Sequence, residues 1–235
     1  MKLHQHTVTF DGPAVRRYRA LAHGPLQWMY RGLVRDLAPA VPRGATVLDV
    51  GAGTGLLLAQ LARQRPDIAV IGVDISPDMV AVARATLAPF RARATVHIGD
   101  VARLPLGDGS VDLVVSSLSA HHWAEPAAAV PELARVLRPG GQAYIYDIRS
   151  APFDTLVSVA QERSLFTGRP PQRSSVRLGW LPWPRLTRLV LSTAEDPPTA
   201  DDPSTADDRA IGGDVRRSGP SSPSADHGTG CLALG

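Results

Sequence analysis

A cluster of glycines follows the first strongly apolar run of the chain, in the segment VLDVGAGTG over Val47–Gly55. Glycine has no Cβ, so the backbone can turn sharply there and a ligand can approach it closely. Turns of this kind between a buried strand and a helix often bind nucleotides. The spacing departs from the dinucleotide pattern G-x-G-x-x-G, because Gly51 and Gly53 are followed by Gly55 and then by Leu56. The segment alone leaves the ligand open.

Two aspartates stand at the ends of the next two predicted strands. Asp74, in GVDISPDMV, can accept hydrogen bonds from both hydroxyls of a ribose, and Asp100 follows the third strand in HIGDV. A dinucleotide-binding protein also carries an acidic residue about 20 residues after its glycines, so Asp74 by itself does not separate the two ligand classes. The order and spacing of all three segments are more specific than any one of them.

These segments, together with Asp49, resemble the first motifs of the class I S-adenosylmethionine-dependent methyltransferases, in the small-molecule, ubiquinone-biosynthesis-like branch. The resemblance covers Val47 to Ile148, including LARVLRPGGQAYIYDI. It implies S-adenosylmethionine as cofactor and S-adenosylhomocysteine as product. By this resemblance Asp49 organises the loop and the cofactor's amino group, Asp74 binds the ribose, and Asp100 binds the adenine. The implied cofactor-binding residues are Asp49, Gly51, Gly53, Gly55, Asp74, Ile75, Met79, Asp100, Val101 and Ser116.

Two adjacent histidines follow the predicted fourth strand, in SSLSAHHW over Ser116–Trp123. Ligands of open α/β sheets gather at this edge. Methyl transfer is an in-line displacement that depends mainly on alignment and exclusion of water, although a histidine can take a proton from the acceptor. A packed or hydrogen-bonded histidine is the simpler interpretation, so His121 and His122 are only weak catalytic candidates. The predicted acceptor-binding residues are Tyr18, Tyr30, His121, His122 and Trp123.

Strands and helices that alternate along the chain position these residues. Short apolar runs separated by helical patterns predict a parallel sheet with buried strands. The fold class expected is α/β: a Rossmann-like, doubly wound, mostly parallel sheet with an N-terminal helical cap and a C-terminal antiparallel strand pair. Ser76 and Pro77 predict a helix start. The predicted strands are Thr46–Val50, Ile68–Val73, Thr95–Ile98, Val111–Ser116 and Gln142–Ile148, with the final pair at Val176–Leu181 and Leu186–Ser192.

Composition divides the chain into three predicted parts: a helical cap at 1–42, a cofactor-binding domain at 43–194 and an acidic tail at 195–235. The tail carries eight acidic and three basic residues, so its net charge is −5 and that of the rest is +8. We expect the tail to be disordered, because it contains few large apolar residues. The final strand pair looks short and proline-interrupted, which would leave the edge of the sheet exposed. A homodimer or a helper protein could cover this edge.

Several function classes are disfavoured by what the sequence lacks. A single cysteine, Cys231, and a start without a signal-peptide pattern favour the cytoplasm, and no run approaches the roughly 20 apolar residues that cross a bilayer. The arginines are scattered along the chain, which makes a nucleic-acid partner an unfavoured expectation. The resemblance implies a small-molecule acceptor. Neither His4 with His6 nor His121 with His122 has acidic or thiol ligands at suitable spacing, so no metal is expected.

Two alternatives stay open at this point. An NAD(P)-dependent oxidoreductase would share the glycine turn, although the third glycine is misplaced for it and Asp100 has no role in it. A non-enzymatic protein that keeps the fold and binds S-adenosylmethionine for regulation or scaffolding also fits, because methyl transfer requires no unmistakable acid or base.

Overall fold

Seven strands and five helices can be followed in the computed structural model, which describes residues 25–178 and 185–195. None of these helices is both long and apolar enough to cross a membrane. The helices are α1 (Pro25–Leu37), α2 (Leu56–Gln64), α3 (Pro77–Leu87), α4 (Pro126–Val136) and α5 (Phe153–Glu162). The strands are β1 (Thr46–Val50), β2 (Ala69–Asp74), β3 (Ala94–Ile98), β4 (Val111–Ser117), β5 (Leu137–Asp147), β6 (Arg169–Arg177) and β7 (Arg185–Ser192).

The strands form one sheet in the order β3-β2-β1-β4-β5-β7-β6. Strands β1 to β5 pair in parallel, whereas β7 runs antiparallel to both β5 and β6. The prediction of a mostly parallel sheet with a C-terminal antiparallel pair is therefore confirmed. The order of the strands reverses between β1 and β4, and a crevice opens at such a reversal because the adjacent connections leave on opposite faces.

Helices cover both faces of the sheet, as the doubly wound prediction requires. On one face α1, α2 and α3 pack against strand residues such as Val47 and Tyr146. On the other face α4 and α5 pack against the alternate residues, such as Leu48 and Ile145. Successive residues of these strands therefore enter opposite cores, which explains why each parallel strand is a continuous apolar run.

Helix α1 is the described part of the predicted helical cap, and the first half of that cap lies outside the described residues. Its buried side chains Met29, Leu33 and Leu37 join the core on the α2 side of the sheet. The helix also packs closely on the far end of the sheet, since a Cβ on Gly32 would lie 2.2 Å from the carbonyl oxygen of Leu178. Helix α1 thus shares its core with the sheet.

Two local predictions need correction. The fifth strand is predicted over Gln142–Ile148, but β5 begins at Leu137 and continues through Pro139-Gly140-Gly141. A shift in the β4–β5 register accommodates the extra residues, and Gly140 has a φ of +75°. The first strand of the final pair begins at Arg169, because the ladder to β7 holds RPPQRSSVR extended although that segment has no apolar alternation. The predicted strand ends near Pro182-Trp183-Pro184 lie outside the described residues.

Candidate functional site

A cleft of about 360 Å³ opens at the carboxyl edge of the sheet, where the strand order reverses. The loops after β1, β2, β3 and β4 line it, together with Tyr30 from α1. The predicted acceptor-binding residue Tyr18 is outside the described residues. The cleft brings together most of the other predicted site residues: Gly51, Gly53, Asp74, Ile75, Met79, Asp100, Val101, Tyr30, His121, His122 and Trp123.

The glycine loop after β1 is held to the neighbouring strand by its own backbone. The amides of Gly51 and Ala52 both donate to the carbonyl oxygen of Val73, at 2.8 and 3.1 Å. The amide of Gly53 donates to Oδ2 of Asp74 at 2.7 Å. Gly53 has a φ of +53°, and a Cβ there would meet no atom within 4 Å. The loop therefore presents bare backbone to the cleft at Gly53.

Two predicted cofactor-binding residues lie behind the cleft and do not line it. Gly55 has a φ of +74°, and a Cβ on it would lie 3.2 Å from the Cβ of Ala83, so its glycine permits close packing of α2 on α3. Ser116 is buried, with its Oγ 2.7 Å from Oγ of Ser119. Ser119 in turn donates to the carbonyl oxygen of Val50 at 3.0 Å. Both positions support the walls of the cleft.

Asp49 also lies behind the glycine loop, near the end of β1, and its side chain is almost fully buried at 1% exposure. Within the described part of the chain its Oδ1 has no hydrogen-bond partner. Burial, and then the charge of Asp74, raise the pKa of Asp49 from 3.8 to about 8. A buried carboxyl oxygen without a partner is costly, so this atom suits a ligand that brings a cationic donor such as an ammonium group.

Asp74, at the end of β2, has both carboxylate oxygens turned toward backbone amides. Oδ2 accepts from Gly53 and Oδ1 accepts from Ser76, at 2.7 and 2.9 Å. Burial raises the pKa of Asp74, and these two hydrogen bonds oppose the rise. Each oxygen of an ionised carboxylate can accept more than one hydrogen bond. Asp74 can therefore take a diol at the rim of the loop.

The wall beyond Asp74 combines apolar surface with a further acid. Ile75 is 56% exposed although it is a large apolar residue, and Met79 and Val101 beside it are buried. Asp100 is exposed, and its Oδ1 accepts from the amide of Ala102 at 3.0 Å. An apolar slot with a nearby carboxylate suits a flat aromatic base that carries a donor group.

His121 contacts an aspartate that the sequence reasoning did not single out. Asp147, the last residue of β5, is fully buried and lies with Oδ1 2.7 Å from Nδ1 of His121. Its position at the carboxyl end of a buried parallel strand is the signal that could have identified it, since Asp74 was found in that way. The ring of His122 packs against that of His121 at a tilt of 45°, with ring centroids 3.9 Å apart. Burial lowers the pKa of His122, and His121 lowers it further.

Leu118 also lines the cleft, and no pattern in the sequence indicates it. It has a φ of +53°, a conformation that leucine rarely adopts and that costs roughly 1–3 kcal/mol. Its amide donates to the carbonyl oxygen of Tyr146 at 2.8 Å, and the bonds of Ser119 hold the next residue to β1. The strained backbone turns the chain after β4 into the cleft wall.

Comparison with known proteins identifies the same region. The methyltransferase domain family matches residues 48–145. An uncharacterized methyltransferase of Mycobacterium tuberculosis is 45% identical over 106 residues, 45% of this chain and 40% of the relative. The malonyl-[acyl-carrier protein] O-methyltransferase of Herminiimonas arsenicoxydans is 35% identical over 159 residues, 68% of this chain and 57% of the relative. A ubiquinone/menaquinone biosynthesis C-methyltransferase of Geobacter sulfurreducens is 36% identical over 107 residues, 44% of this chain and 42% of the relative.

The chain thus spans about half the length of these curated relatives, and they carry names with different acceptors. Among solved structures, a Haloferax volcanii protein in complex with the Trm112 methyltransferase activator superposes with a TM-score of 0.60 at 24% identity. The match covers 77% of this chain and 96% of that protein, and it shows the shared fold. Residues 48–145, which hold the glycine loop and the strand-end acids, are thus the part of the chain that is similar to the methyltransferase domain family.

Proposed function

We propose that this protein transfers the methyl group of S-adenosylmethionine to an oxygen, nitrogen or carbon nucleophile of a small-molecule acceptor. The observation that carries the proposal is the buried Oδ1 of Asp49 behind the glycine loop, which has no hydrogen-bond partner among the described residues. The methionine part of the cofactor brings an ammonium group, which a carboxylate attracts. A dinucleotide would bring an anionic pyrophosphate to the same loop, and a pyrophosphate offers no donor to the buried Oδ1 of Asp49.

The other predicted residues bind the remaining parts of the cofactor. Asp74 accepts the ribose hydroxyls, Ile75 and Val101 flank the adenine, and Asp100 accepts from the adenine amino group. Gly53 leaves room for the ligand against the loop. When bound, S-adenosylmethionine supplies a methyl carbon activated by the sulfonium. The chain's own contribution is to fix that carbon in line with the acceptor and to exclude water.

The acceptor takes the part of the cleft lined by Tyr30, His121, His122 and Trp123. These side chains combine aromatic surface with polar nitrogens, as small-molecule sites do. One relative is named a malonyl-[acyl-carrier protein] O-methyltransferase and another a ubiquinone/menaquinone biosynthesis C-methyltransferase, so the proposed acceptor is not restricted to that of the ubiquinone-like branch. We place the catalytic domain at 43–194 after a helical cap at 1–42, and a homodimer across the β6 edge is compatible with it.

Calorimetric titration of the full chain with S-adenosylhomocysteine, in parallel with NADH, tests the proposal. We expect micromolar binding of S-adenosylhomocysteine to the wild type and its loss in Asp74→Ala. Asp78→Ala is the matched control, because Asp78 is an exposed aspartate in the first turn of α3 that does not line the cleft. Binding of NADH alone would overturn the proposal. Binding of S-adenosylhomocysteine with no turnover across a broad acceptor screen would favour a regulatory or scaffold role.

A further inference from the structure

The carboxylate of Asp147 is fully buried behind His121, which lines the cleft. Its Oδ2 accepts from the backbone amide of His121 at 3.0 Å. Its Oδ1 accepts from the amide of Ile148 at 2.7 Å and lies 2.7 Å from Nδ1 of His121. Because these contacts fix the carboxylate of Asp147, they also prevent the imidazole of His121 from rotating.

This contact selects the tautomer of His121. A carboxylate can only accept a hydrogen bond, so Nδ1 carries the proton and Nε2 keeps its lone pair in the neutral ring. No hydrogen bond joins Nε2 to any residue that the structure describes. The ring lines the cleft, where the other titratable side chains are Tyr30 from α1, Asp74 and Asp100 across the cleft, and the adjacent His122.

His121 and His122 differ in the surroundings that decide whether each can act as a base. The carboxylate of Asp147 contacts the ring of His121 and stabilises the imidazolium that forms when Nε2 takes a proton. Burial and then the neighbouring His121 lower the pKa of His122, so His122 takes up a proton less readily than an ordinary histidine. The arrangement therefore favours His121 for proton transfer.

We propose that His121 is the general base of the methyl transfer, that Asp147 is its positioning residue, and that the acceptor is consequently a hydroxyl or phenol. This inference rests on the proposed function. As the acceptor oxygen bonds to the methyl carbon, the carbon–sulfur bond breaks and its electron pair stays on the sulfur of S-adenosylhomocysteine. The acceptor's proton passes to Nε2 of His121 and later to solvent. A carboxylate acceptor is already anionic and would need no such base.

The first test reads the tautomer directly. Full-length protein with ¹⁵N-labelled histidine, saturated with S-adenosylhomocysteine, should show the ring of His121 protonated at Nδ1 and free at Nε2 near neutral pH. Asp147→Asn should abolish that preference, because the amide nitrogen can donate to Nδ1. Protonation at Nε2 in the neutral wild-type ring would overturn the proposal. Failure of S-adenosylhomocysteine to bind would instead overturn the proposed function.

The second test uses phenol and 4-nitrophenol as probe acceptors with labelled S-adenosylmethionine. His121→Asn keeps a donor for Asp147 but has no equivalent of Nε2. We expect kcat/KM for phenol to fall about 100-fold or more in this variant. At a pH where 4-nitrophenol is already ionised, its kcat/KM should change little, and S-adenosylhomocysteine affinity should be retained.

The matched control is His97→Asn, since His97 lies in β3 and does not line the cleft. It should methylate both phenols at the wild-type rate. If His121→Asn lowered kcat/KM equally for both phenols, His121 would have only a packing role and the assignment would be overturned. The assignment would also be overturned if the wild type bound S-adenosylhomocysteine and methylated a carboxylate but neither phenol.

Discussion

Asp49 and Asp74 place two carboxyl groups behind and beside one glycine loop, in surroundings that differ sharply. Asp74 accepts hydrogen bonds from two backbone amides and lines the cleft, whereas Oδ1 of Asp49 is buried with no partner among the described residues. Burial of an unpaired acid favours its neutral form, and a cationic ligand would favour its ionised form. The protonation state of Asp49 should therefore change on ligand binding.

The free protein should lose stability with rising pH because of Asp49. Its pKa is 3.8 ordinarily and about 8 in the folded chain, so the folded state binds the proton more tightly. The stabilisation is complete below about pH 4 and is lost as the pH rises toward 8, with a slope of at most about 1.4 kcal/mol per pH unit. Urea unfolding of wild type and Asp49→Asn between these limits should diverge, and parallel curves would contradict the assignment.

Binding of S-adenosylhomocysteine near pH 7 should release a proton from Asp49, because the ligand's ammonium group lowers the pKa of this acid. Calorimetry in buffers with different ionisation enthalpies measures the number of protons released, and we expect a value approaching one. Asp49→Asn should reduce it to near zero. An unchanged proton release in the variant would place the titrating group elsewhere.

At the scale of elements, the loop between β1 and α2 depends on its neighbours for its shape. It is held by the carbonyl oxygen of Val73 on one side and approached by Ser119 on the other. The two glycines that line the cleft differ in what surrounds them. A Cβ on Gly51 would lie 2.3 Å from Oγ of Ser119, whereas one on Gly53 would point into open space.

Gly51→Ala should therefore cost more stability than Gly53→Ala. Both positions have positive φ, which costs about 1–2 kcal/mol for alanine, but only Gly51 adds a clash that displaces Ser119. Urea unfolding compares the two, and Ser119→Gly should recover part of the loss in Gly51→Ala. Gly53→Ala should act mainly on affinity for S-adenosylhomocysteine, because its methyl group enters the cleft. Equal destabilisation by both substitutions would contradict this view of the loop.

At the scale of the whole molecule, one side chain links the N-terminal helix to the C-terminal strands. Oδ2 of Asp36 in α1 accepts from the hydroxyl of Tyr146 in β5 and from Arg188 in β7, each at 2.8 Å. Tyr146 is fully buried. Asp36 raises the pKa of that phenol, although burial is the larger cause. The linkage fixes α1 beside the cleft that Tyr30 lines.

Asp36→Ala should lower the free energy of unfolding by about 1–3 kcal/mol, because it leaves the buried hydroxyl of Tyr146 and the guanidinium of Arg188 without their acceptor. Tyr146→Phe should cost less, about 1 kcal/mol. Arg35→Ala is the control, since Arg35 is the exposed neighbour on α1. Urea unfolding measures all three, and an Asp36→Ala loss no larger than the control's would show that the linkage contributes no stability.

The sequence by itself determined the features that are encoded within a few residues. Apolar runs and turn chemistry located β1 to β5, the cap at Ser76, whose Oγ accepts from the amide of Met79 at 3.3 Å, and the glycine loop. Strand-end positions identified Asp74 and Asp100, which the fold brings to one cleft with the loop. The ligand of Asp74 and Asp100 remains a prediction. Their proximity follows from the parallel strands, whose carboxyl ends lie at one edge of the sheet.

Only the tertiary structure decided which distant residues became partners. The bond of His121 to Asp147 spans 26 residues, and those of Asp36 to Tyr146 and Arg188 span 110 and 152. These pairings depend on the strand order and on helix packing, which no local pattern encodes. Strand β6 is extended because β7 supplies its hydrogen bonds, not because its own sequence alternates. The physical reason is that periodicity reports which face of an element is buried, whereas the neighbour on that face is chosen by the packing of the entire chain.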